Sequence, residues 1–279
     1  MMAFTHSTTG TPFSEKIQRC PLVMAHRGGA GLWPENTMHA FERAVELEVD
    51  VLETEVHSTA DGVLVVSHDS TVDRTTDGSG PIRSLTLKEL KTLDAGYNWT
   101  ADGGKTFPFR GSGITVPTLE EVFTDLPNDM QINIDIKKTR PSLVLPLCEM
   151  IRTFEAVGRV MVASFSSKAL KAFRRVCPEV ATSAGRGEVT RFFIMNLVSL
   201  GPAYRPACQA LQVPEYSSGI QVLTKKFVDT AHGLNLEVHV WTINEVSDMI
   251  RMLALGVDGI ITDYPDRLID LLGEMGIRS

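Results

Sequence analysis

Short apolar runs alternate along the chain with segments whose apolar residues recur at helical spacing. Residues 22–25 and 51–56 are runs of the first kind and are typical of buried strands. Residues 37–47 are typical of an amphipathic helix with Asn36 as its expected N-cap, and a second role of Asn36 in orienting a functional site is left open. Residues 118–126 are expected to form a further helix, with Thr118 as its N-cap. Because strand and helix patterns follow one another in this way, the chain is predicted to form a parallel sheet covered by helices.

The strand-type runs number nine, one more than a TIM barrel needs. Run 62–67 follows run 51–56 after a loop too short for the crossover that parallel strands require, so we expect these two runs to pair as a hairpin. The other runs predict an irregular TIM (β/α)8 barrel of the α/β class, with an inserted subdomain after the third strand. The nine runs are residues 22–25, 51–56, 62–67, 131–137, 159–165, 179–184, 210–214, 237–242 and 256–263.

Residues 71–115 break the alternation because Gly, Asp, Ser and Thr dominate them. A long irregular stretch after a strand end is typical of a functional insertion, so we predict a cap subdomain here. Residues 1–18 are predicted to form an N-terminal arm, residues 19–273 a single catalytic barrel domain that carries the cap, and residues 274–279 a C-terminal tail. The aromatic residues of the insertion either cap an active site or form its own small core; they are Tyr97, Trp99, Phe107 and Phe109.

Composition and charge narrow the class of protein. A hydrophobic content of 43% and a charged content of 22% are ordinary for a soluble globular chain. A net charge of -7 without any Lys/Arg run argues against binding to a nucleic-acid backbone. The four cysteines are scattered without a CxxC pair, which suits a reducing compartment better than a disulfide framework. With no signal-peptide pattern and no apolar run of roughly 20 residues, a cytoplasmic protein without a transmembrane segment is expected.

Polar residues gather at the ends of the predicted strands, where barrels carry their chemistry. His26 and Arg27 follow the first run, and His68 follows the third. The glycines among residues 28–31 let the backbone approach a ligand closely, although they do not match the dinucleotide fingerprint GxGxxG. A lone histidine after a strand is usually structural, but two at neighbouring strand ends predict an acid/base pair. Asp263, at the last strand end, could orient a site residue or cap the following helix.

Glu53 and Glu55 lie two positions apart on a strand and therefore share a face. Two buried like charges need compensation, and a bound cation is the usual one. The pair is predicted to hold a metal ion, with a solvated strand face as the alternative. Asp135 and Lys137 share the inner face of another strand. Either Asp135 is a third metal ligand and Lys137 contacts a phosphate, or the two residues form only a buried ion pair. Carboxylate ligands suit a hard ion, Mg²⁺ or Ca²⁺.

The order of these motifs resembles the glycerophosphodiester phosphodiesterases. The likeness runs from about residue 21 to the C-terminus, and the joint occurrence of HRG, PENT, ExE and HD is highly specific. That family is a TIM barrel with an insertion after the third strand, and it is similar in core chemistry to phosphoinositide-specific phospholipase C. The motifs are His26-Arg-Gly28, Pro34-Glu-Asn-Thr37, Glu53-x-Glu55, His68-Asp69, Ile134-Asp-Ile-Lys137, Trp241-Thr-Ile-Asn244 and Thr262-Asp263.

The resemblance implies metal-dependent hydrolysis of a glycerophosphodiester to sn-glycerol 3-phosphate and an alcohol, through a cyclic phosphate. It also implies a small-molecule substrate and one divalent cation as the ligands, while association into a homo-oligomer is left open. The matching residues are His26 and His68 as the acid/base pair, Glu53 as the first metal ligand, Arg27 and Lys137 near the phosphate, and Trp241 at the wall near the glycerol.

Two positions depart from the family's pattern. The family has Asp where this chain has Glu55, and Glu where this chain has Asp135, so one carboxylate is longer and the other shorter by one methylene. Two alternative functions therefore stay in view. The first is lysophospholipase D-type hydrolysis, which needs an apolar groove such as Phe192, Phe193 and Met195 would provide. The second is a barrel that binds glycerophosphodiesters without turnover, against which the retention of both histidines argues.

Overall fold

A barrel of parallel strands forms the centre of the molecule. The structure is a computed structural model that describes residues 20–137 and 143–278, so the predicted arm at 1–18 lies outside the described residues. The barrel strands are β1 (Leu22–His26), β2 (Val51–Ser58), β4 (Gln131–Ile136), β5 (Val160–Ala163), β6 (Ala181–Thr182), β7 (Ala210–Val213), β10 (Glu237–Val240) and β11 (Gly259–Thr262).

The sheet order brings the first and last strands of the chain together. The order is β6-β5-β4-β2-β1-β11-β10-β7, and every neighbouring pair in it is parallel. A parallel bridge between Ser183 and Ala210 joins the two outer strands and closes the sheet on itself. Parallel neighbours need crossovers, and helices on the outside supply them. The predicted fold class, an irregular TIM barrel, is confirmed.

Two short hairpins stand outside the barrel ring. Strand β3 (Leu64–Val66) pairs antiparallel with β2, which confirms the hairpin predicted for run 62–67. Strands β8 (Tyr216–Ser217) and β9 (Ile220–Gln221) form a second hairpin that the sequence pattern did not predict. Both residues of its turn have positive φ, 50° at Ser218 and 79° at Gly219, as a type I′ hairpin turn requires. A strand of two exposed residues is too short to show an alternation of apolar and polar positions, so the sequence pattern could not predict this hairpin.

Helices cover the outside of the barrel. Helix α6 lies in the stretch between β6 and β7, where no strand-type run was predicted. Among the helices of the described residues, none combines the length and the apolar composition needed to cross a bilayer. The helices are α1 (Met38–Glu46), α2 (Leu87–Leu90), α3 (Leu119–Asp125), α4 (Val144–Thr153), α5 (Ser167–Val176), α6 (Arg186–Leu197), α7 (Lys225–His232), α8 (Val246–Leu255) and α9 (Pro265–Glu274).

The two faces of the strands pack against different parts of the molecule, because successive side chains along a strand point to opposite faces. Outward-facing residues such as Leu52 and Ile134 pack with the helices in the main hydrophobic core. Inward-facing residues such as Met24, Val51 and Met161 fill a smaller apolar layer inside the barrel. Along β1 and β2 the polar inward residues, His26, Glu53 and Glu55, come later, towards the carboxyl ends of these strands. A second polar group lies inside the barrel, where Gln212 Nε2 donates to Asn133 Oδ1 at 2.9 Å and lies 3.3 Å from His239 Nδ1.

Of the two predicted N-caps, one is correct and the other is wrong. Thr118 caps α3 in a capping box with Glu121, as the sequence predicted for this residue. The prediction that Asn36 caps α1 is wrong, since the Thr37 side chain accepts the hydrogen bond from the Ala40 N–H. Asn36 has a φ of 56°, and its side chain turns towards β2 instead.

The inserted segment builds its own small core. Its apolar residues pack with Val65 of β3, and Trp99 meets Phe109 edge-on at a centroid distance of 5.1 Å. None of its four aromatic residues lines the barrel cavity, and none of them belongs to this small core, so neither role predicted for them is supported. The boundaries 71–115 stay a prediction. The buried members of this core are Val65, Val72, Ile82, Leu90, Ala95 and Val116.

One pair of cysteines is bonded. Cys148 of α4 and Cys177, directly after α5, form a disulfide with a Cα–Cα distance of 5.8 Å. The expectation of four unpaired thiols is therefore wrong for this pair, because residues 29 positions apart are brought together by the packing of two adjacent helices. The cytoplasmic location expected from cysteine spacing loses that support. Cys20 and Cys208 are free.

Candidate active site

His26 lies between two carboxylates at the end of β1. It is the register partner of Glu53 on β2, and its Nε2 lies 3.9 Å from Glu53 Oε2. Its Nδ1 lies 2.6 Å from Oδ1 of Asp263, which follows β11. Burial opposes protonation of this imidazole, but the hydrogen bond to Asp263 and the charge of Glu53 outweigh it and raise the pKa of His26. The structure therefore favours the protonated ring.

Glu55 and Asp135 are register partners across β2 and β4. Lys137 lies beside both, with its Nζ 2.9 Å from Asp135 Oδ2 and 3.4 Å from Glu55 Oε1. Burial opposes the charge of Lys137, but the two carboxylates outweigh it and raise the pKa of Lys137. The longer Glu and the shorter Asp, the two positions that depart from the family's pattern, thus meet across one pair of neighbouring strands.

The carboxylates fit a divalent cation. Ligand atoms of His26, Glu53 and Glu55 all lie within 4.8 Å of one another. Burial and the charge of Glu55 raise the pKa of Glu53 to about 8. Within the described residues, the buried atoms Glu55 Oε1 and Asp135 Oδ1 accept no hydrogen bond. A hard cation would offset the repulsion between the carboxylates and would be coordinated by these oxygen atoms. Asp135 lies outside the three-residue cluster, so its place as a third ligand stays a prediction.

His68 lines the same cavity, two residues after the end of β3. Its Nδ1 lies 2.8 Å from Asp69 Oδ1, and its backbone carbonyl oxygen lies 3.2 Å from His57 Nε2. The N–H of Ser67 donates to the carbonyl of Glu55, which ties this strand end to β2. His57 therefore supports the peptide that carries His68.

The loop between β1 and α1 reaches back to the carboxylates. The backbone N–H of Arg27 donates to Glu53 Oε2 at 3.1 Å, and its Nε lies 3.3 Å from Glu55 Oε1. Asn36 donates from Nδ2 to Glu55 Oε2 at 2.8 Å, and its Oδ1 accepts from the Thr54 hydroxyl at 2.7 Å. Asn36 thus orients Glu55, the role that turns it away from the helix N-terminus.

A cavity of about 590 Å³ contains all eight predicted site residues. One end is charged, and the other is lined mainly by apolar side chains from the loop after β5, from α6 and from the β8–β9 hairpin. Trp241 lies in this wall and meets Phe165 edge-on at 5.6 Å. The predicted residues in the cavity are His26, Arg27, Glu53, Glu55, His68, Asp135, Lys137 and Trp241; the main apolar ones are Phe165, Val189, Phe193, Ile220 and Val222.

Several residues around the cavity were not singled out from the sequence. Phe165 and Arg186 lie just beyond the ends of β5 and β6, so the strand-end rule could have identified them. Ile220 belongs to the unpredicted hairpin, and no local signal marks it. Asp263 had two interpretations, and its contact with His26 favours the orienting one. Of the residues expected to form an apolar groove, Phe192 is fully buried in the core, and only Phe193 lines the cavity.

Comparison with known proteins agrees with this geometry. The model of the glycerophosphoryl diester phosphodiesterase family matches residues 26–267, most of the chain. The chain belongs to this family. The matched stretch begins at His26 and includes both histidines, the three carboxylates, Lys137 and Trp241.

Individual members of the family align with nearly the whole chain. A glycerophosphodiester phosphodiesterase of Caldanaerobacter subterraneus subsp. tengcongensis is 36% identical over 261 residues, covering 91% of this chain and 99% of the relative. One from Bacillus altitudinis is 32% identical over 259 residues, covering 91% and 98%. The glycerophosphoryl diester phosphodiesterase domain of a Mycobacterium tuberculosis protein has a TM-score of 0.79 at 25% identity, covering 91% and 99%. The predicted family and enzyme class, a phosphoric diester hydrolase, are confirmed.

Proposed function

We propose that the chain hydrolyses glycerophosphodiesters to sn-glycerol 3-phosphate and an alcohol, with the aid of one divalent cation. The observation that supports this proposal is that His26, His68 and the buried carboxylates Glu53 and Glu55 line one cavity. Two imidazoles facing one reaction centre can supply an acid and a base together. A barrel that only binds its ligand would need neither.

His26 is the initial acid in this proposal, and His68 is the initial base. The carboxylates of Asp263 and Glu53 on the two sides of the His26 ring favour its charged form, which has a proton to give. Asp69 lies 2.8 Å from Nδ1 of His68 and is its hydrogen-bonding carboxylate among the described residues. The other ring nitrogen of His68 is left to accept a proton from the substrate.

The reaction proceeds in two displacements. His68 takes the proton of the glycerol 2-hydroxyl, the oxygen bonds to phosphorus, and the bond from phosphorus to the alcohol breaks as His26 protonates the leaving oxygen. Water then opens the cyclic phosphate, giving a proton to His26 while His68 returns one to the 2-oxygen. A 2-deoxy substrate hydrolysed at the full rate would contradict this route.

The remaining side chains bind and orient the substrate. Glu53 and Glu55, with Asp135 as the third ligand, would hold Mg²⁺ or Ca²⁺, which supplies charge neutralisation at the phosphate when bound. Arg27 and Lys137 line the charged end of the cavity, where their cationic groups can contact phosphate oxygens. Trp241 forms the wall against which the glycerol carbons pack.

Release of glycerol 3-phosphate from glycerophosphocholine tests the proposal. We expect activity with Mg²⁺ or Ca²⁺, loss of activity with a chelator, and a loss of at least about 10²-fold in His26→Ala. His232→Ala is the matched control, since His232 forms a similar pair with Asp258 outside the cavity. Activity that is indifferent both to chelator and to His26→Ala would overturn the mechanism.

A second candidate, hydrolysis of lysophospholipids, is supported by the apolar half of the cavity. A deacylated head-group diester is polar throughout and would leave this half unused, whereas a hydrocarbon chain would bury it. The outer part of the wall is open, with Phe165 58% and Ile220 57% exposed. Phe193 lines the wall from α6 and provides the position at which the two substrates can be separated.

The two substrate classes respond differently to a change in this wall. Phe193→Ser is expected to lower kcat/KM for lysophosphatidylcholine by about ten- to hundredfold, the equivalent of losing one buried Phe contact. The rate on glycerophosphocholine should stay within about twofold of wild type. Ile194→Ser is the matched control, because Ile194 is adjacent on α6 and exposed, but lies outside the cavity lining. Equal effects on both substrates would remove the support for the acylated one.

A further inference from the structure

Arg74 of the inserted segment contacts two carboxylates with all three of its guanidinium nitrogens. Its Nε donates to Asp69 Oδ2 at 2.5 Å, and its Nη1 and Nη2 donate to the two oxygens of Glu35 at 2.7 Å each. Such bidentate contacts fix direction as well as distance. Arg74 lies outside the cavity lining, so it does not touch the substrate there.

Both acceptors of Arg74 are themselves partners of site residues. The other oxygen of Asp69 lies 2.8 Å from Nδ1 of His68. Oε1 of Glu35 also accepts from Nη1 of Arg27 at 3.0 Å. One guanidinium therefore connects His68, which follows β3, with Arg27, which follows β1, and both residues line the cavity. Arg27 and His68 are 41 positions apart in the sequence.

The loop that carries Arg27 needs such support. Arg27 has a φ of 54°, followed by 83° at Gly28 and 97° at Gly29, and Asn36 has 56°. The left-handed region is unfavourable for a non-glycine residue and persists only where surrounding contacts hold it. The inserted segment supplies another such contact, since Trp99 Nε1 donates to the carbonyl of Ala30 at 3.2 Å.

The charge of Glu35 and Asp69 explains why Arg74 can hold both side chains. Glu35 is nearly buried and lies between the guanidinium groups of Arg74 and Arg27. Burial alone would raise its pKa, but the two arginines outweigh burial and lower it, so Glu35 stays charged. Without Arg74, Asp69 would lose its second partner and be free to turn about its side chain, and the single remaining guanidinium would hold Glu35 alone.

We propose that Arg74 is a positioning residue that orients His68 through Asp69 and Arg27 through Glu35. The part concerning turnover rests on the proposed function, whereas the part concerning loop order does not. The inserted segment then has a role in the reaction without covering the cavity: it fixes the relative placement of an acid/base group and a phosphate-binding group.

Turnover of glycerophosphocholine by three variants tests the catalytic part. Arg74→Met keeps the apolar stem of the side chain but removes the guanidinium group. It is expected to lower kcat about ten- to hundredfold, as for other groups that orient reacting residues, and to raise KM as well, because Arg27 contacts the phosphate in the proposed function. Added guanidinium ion should restore at least a tenth of the wild-type kcat to Arg74→Ala. Arg83→Met, an exposed arginine of the same segment, should behave as wild type. A rise in KM alone, or failure of guanidinium to restore Arg74→Ala, would overturn the proposal.

Hydrogen exchange separates this proposal from the proposed function. In the metal-free, substrate-free protein, amide exchange across residues 27–36 should be at least about tenfold faster in Arg74→Met than in wild type and unchanged in Arg83→Met. This result does not require the wild type to turn over any substrate. Unchanged exchange in Arg74→Met would overturn the proposal even if glycerophosphocholine is hydrolysed, and faster exchange would support it even if another diester is the substrate.

Discussion

Replacing Asp263 with Asn is expected to lower kcat by about 10² to 10⁴-fold. The orientation of the new amide is set by Asn244. Oδ1 of Asn244 accepts from the Asp263 N–H at 2.9 Å and from the Thr262 hydroxyl at 3.2 Å, so its NH₂ group faces the side chain at 263 and donates to Oδ2 at 2.7 Å. An amide at position 263 must offer its oxygen to Asn244 and therefore its NH₂ group to His26.

That arrangement excludes the charged form of His26. A donor facing Nδ1 requires this nitrogen to be unprotonated, whereas an imidazolium ring has protons on both nitrogens. The acid of the first displacement is lost while the packing of the site is kept. The corresponding exchange in serine-protease triads lowers kcat by about 10⁴ through the wrong tautomer, which sets the upper limit, and loss of one general acid sets the lower one at about 10². The activation barrier rises by roughly 3 to 5 kcal/mol.

Steady-state release of glycerol 3-phosphate from glycerophosphocholine measures this effect. Asp258→Asn is a matched control, because Asp258 pairs with His232 at 2.8 Å beside the opposite end of β11. The double variant Asp263→Asn with Asn244→Asp should recover part of the lost rate, since the exchanged pair lets the amide oxygen face His26 again. Wild-type kcat in Asp263→Asn, or an equal loss in Asp258→Asn, would refute the reasoning.

Two further predictions concern stability. The pKa of Glu53 is raised to about 8 from 4.5, so the folded metal-free protein binds the extra proton and its Tm should fall as pH rises between these values. Mg²⁺ or Ca²⁺ should remove that fall, and Glu53→Gln should abolish both effects; a Tm unaffected by either ion would contradict the metal site. Gly31→Ala should lower the free energy of unfolding by about 1 to 3 kcal/mol, because its Cβ would lie 2.4 Å from the ring of Tyr264. Gly158→Ala, where a Cβ meets nothing within 4 Å, should leave the chemical denaturation midpoint within error of wild type.

The strand ends were predictable because parallel strands share a common edge. His26, Glu53, Glu55 and Asp135 could be placed together from their positions on predicted strands alone. Even the paired departure at Glu55 and Asp135 was visible in the sequence. Its geometric meaning was not, because only the register of β2 against β4 puts the two residues opposite each other.

Asn36 illustrates how local preference can mislead. Asn36 and Thr37 are both good N-caps, and the sequence around them does not choose between them. The choice is made by Thr54 and Glu55 on β2, which offer Asn36 two hydrogen bonds that Thr37 could not make in the same way. The cost of a left-handed backbone is offset by contacts from another part of the chain.

The sequence by itself determined the strand and helix order, the barrel, and the carboxylates and histidines of the site, because periodicity and strand ends are properties of neighbouring residues. The tertiary structure decided the contacts between distant residues: the support of His26 by Asp263 across 237 positions, and the link from Arg74 to Glu35 across 39. The apolar wall also depends on how α6 and the β8–β9 hairpin fold over the barrel end. Such contacts follow from the three-dimensional packing of the whole chain, on which local sequence patterns carry no information.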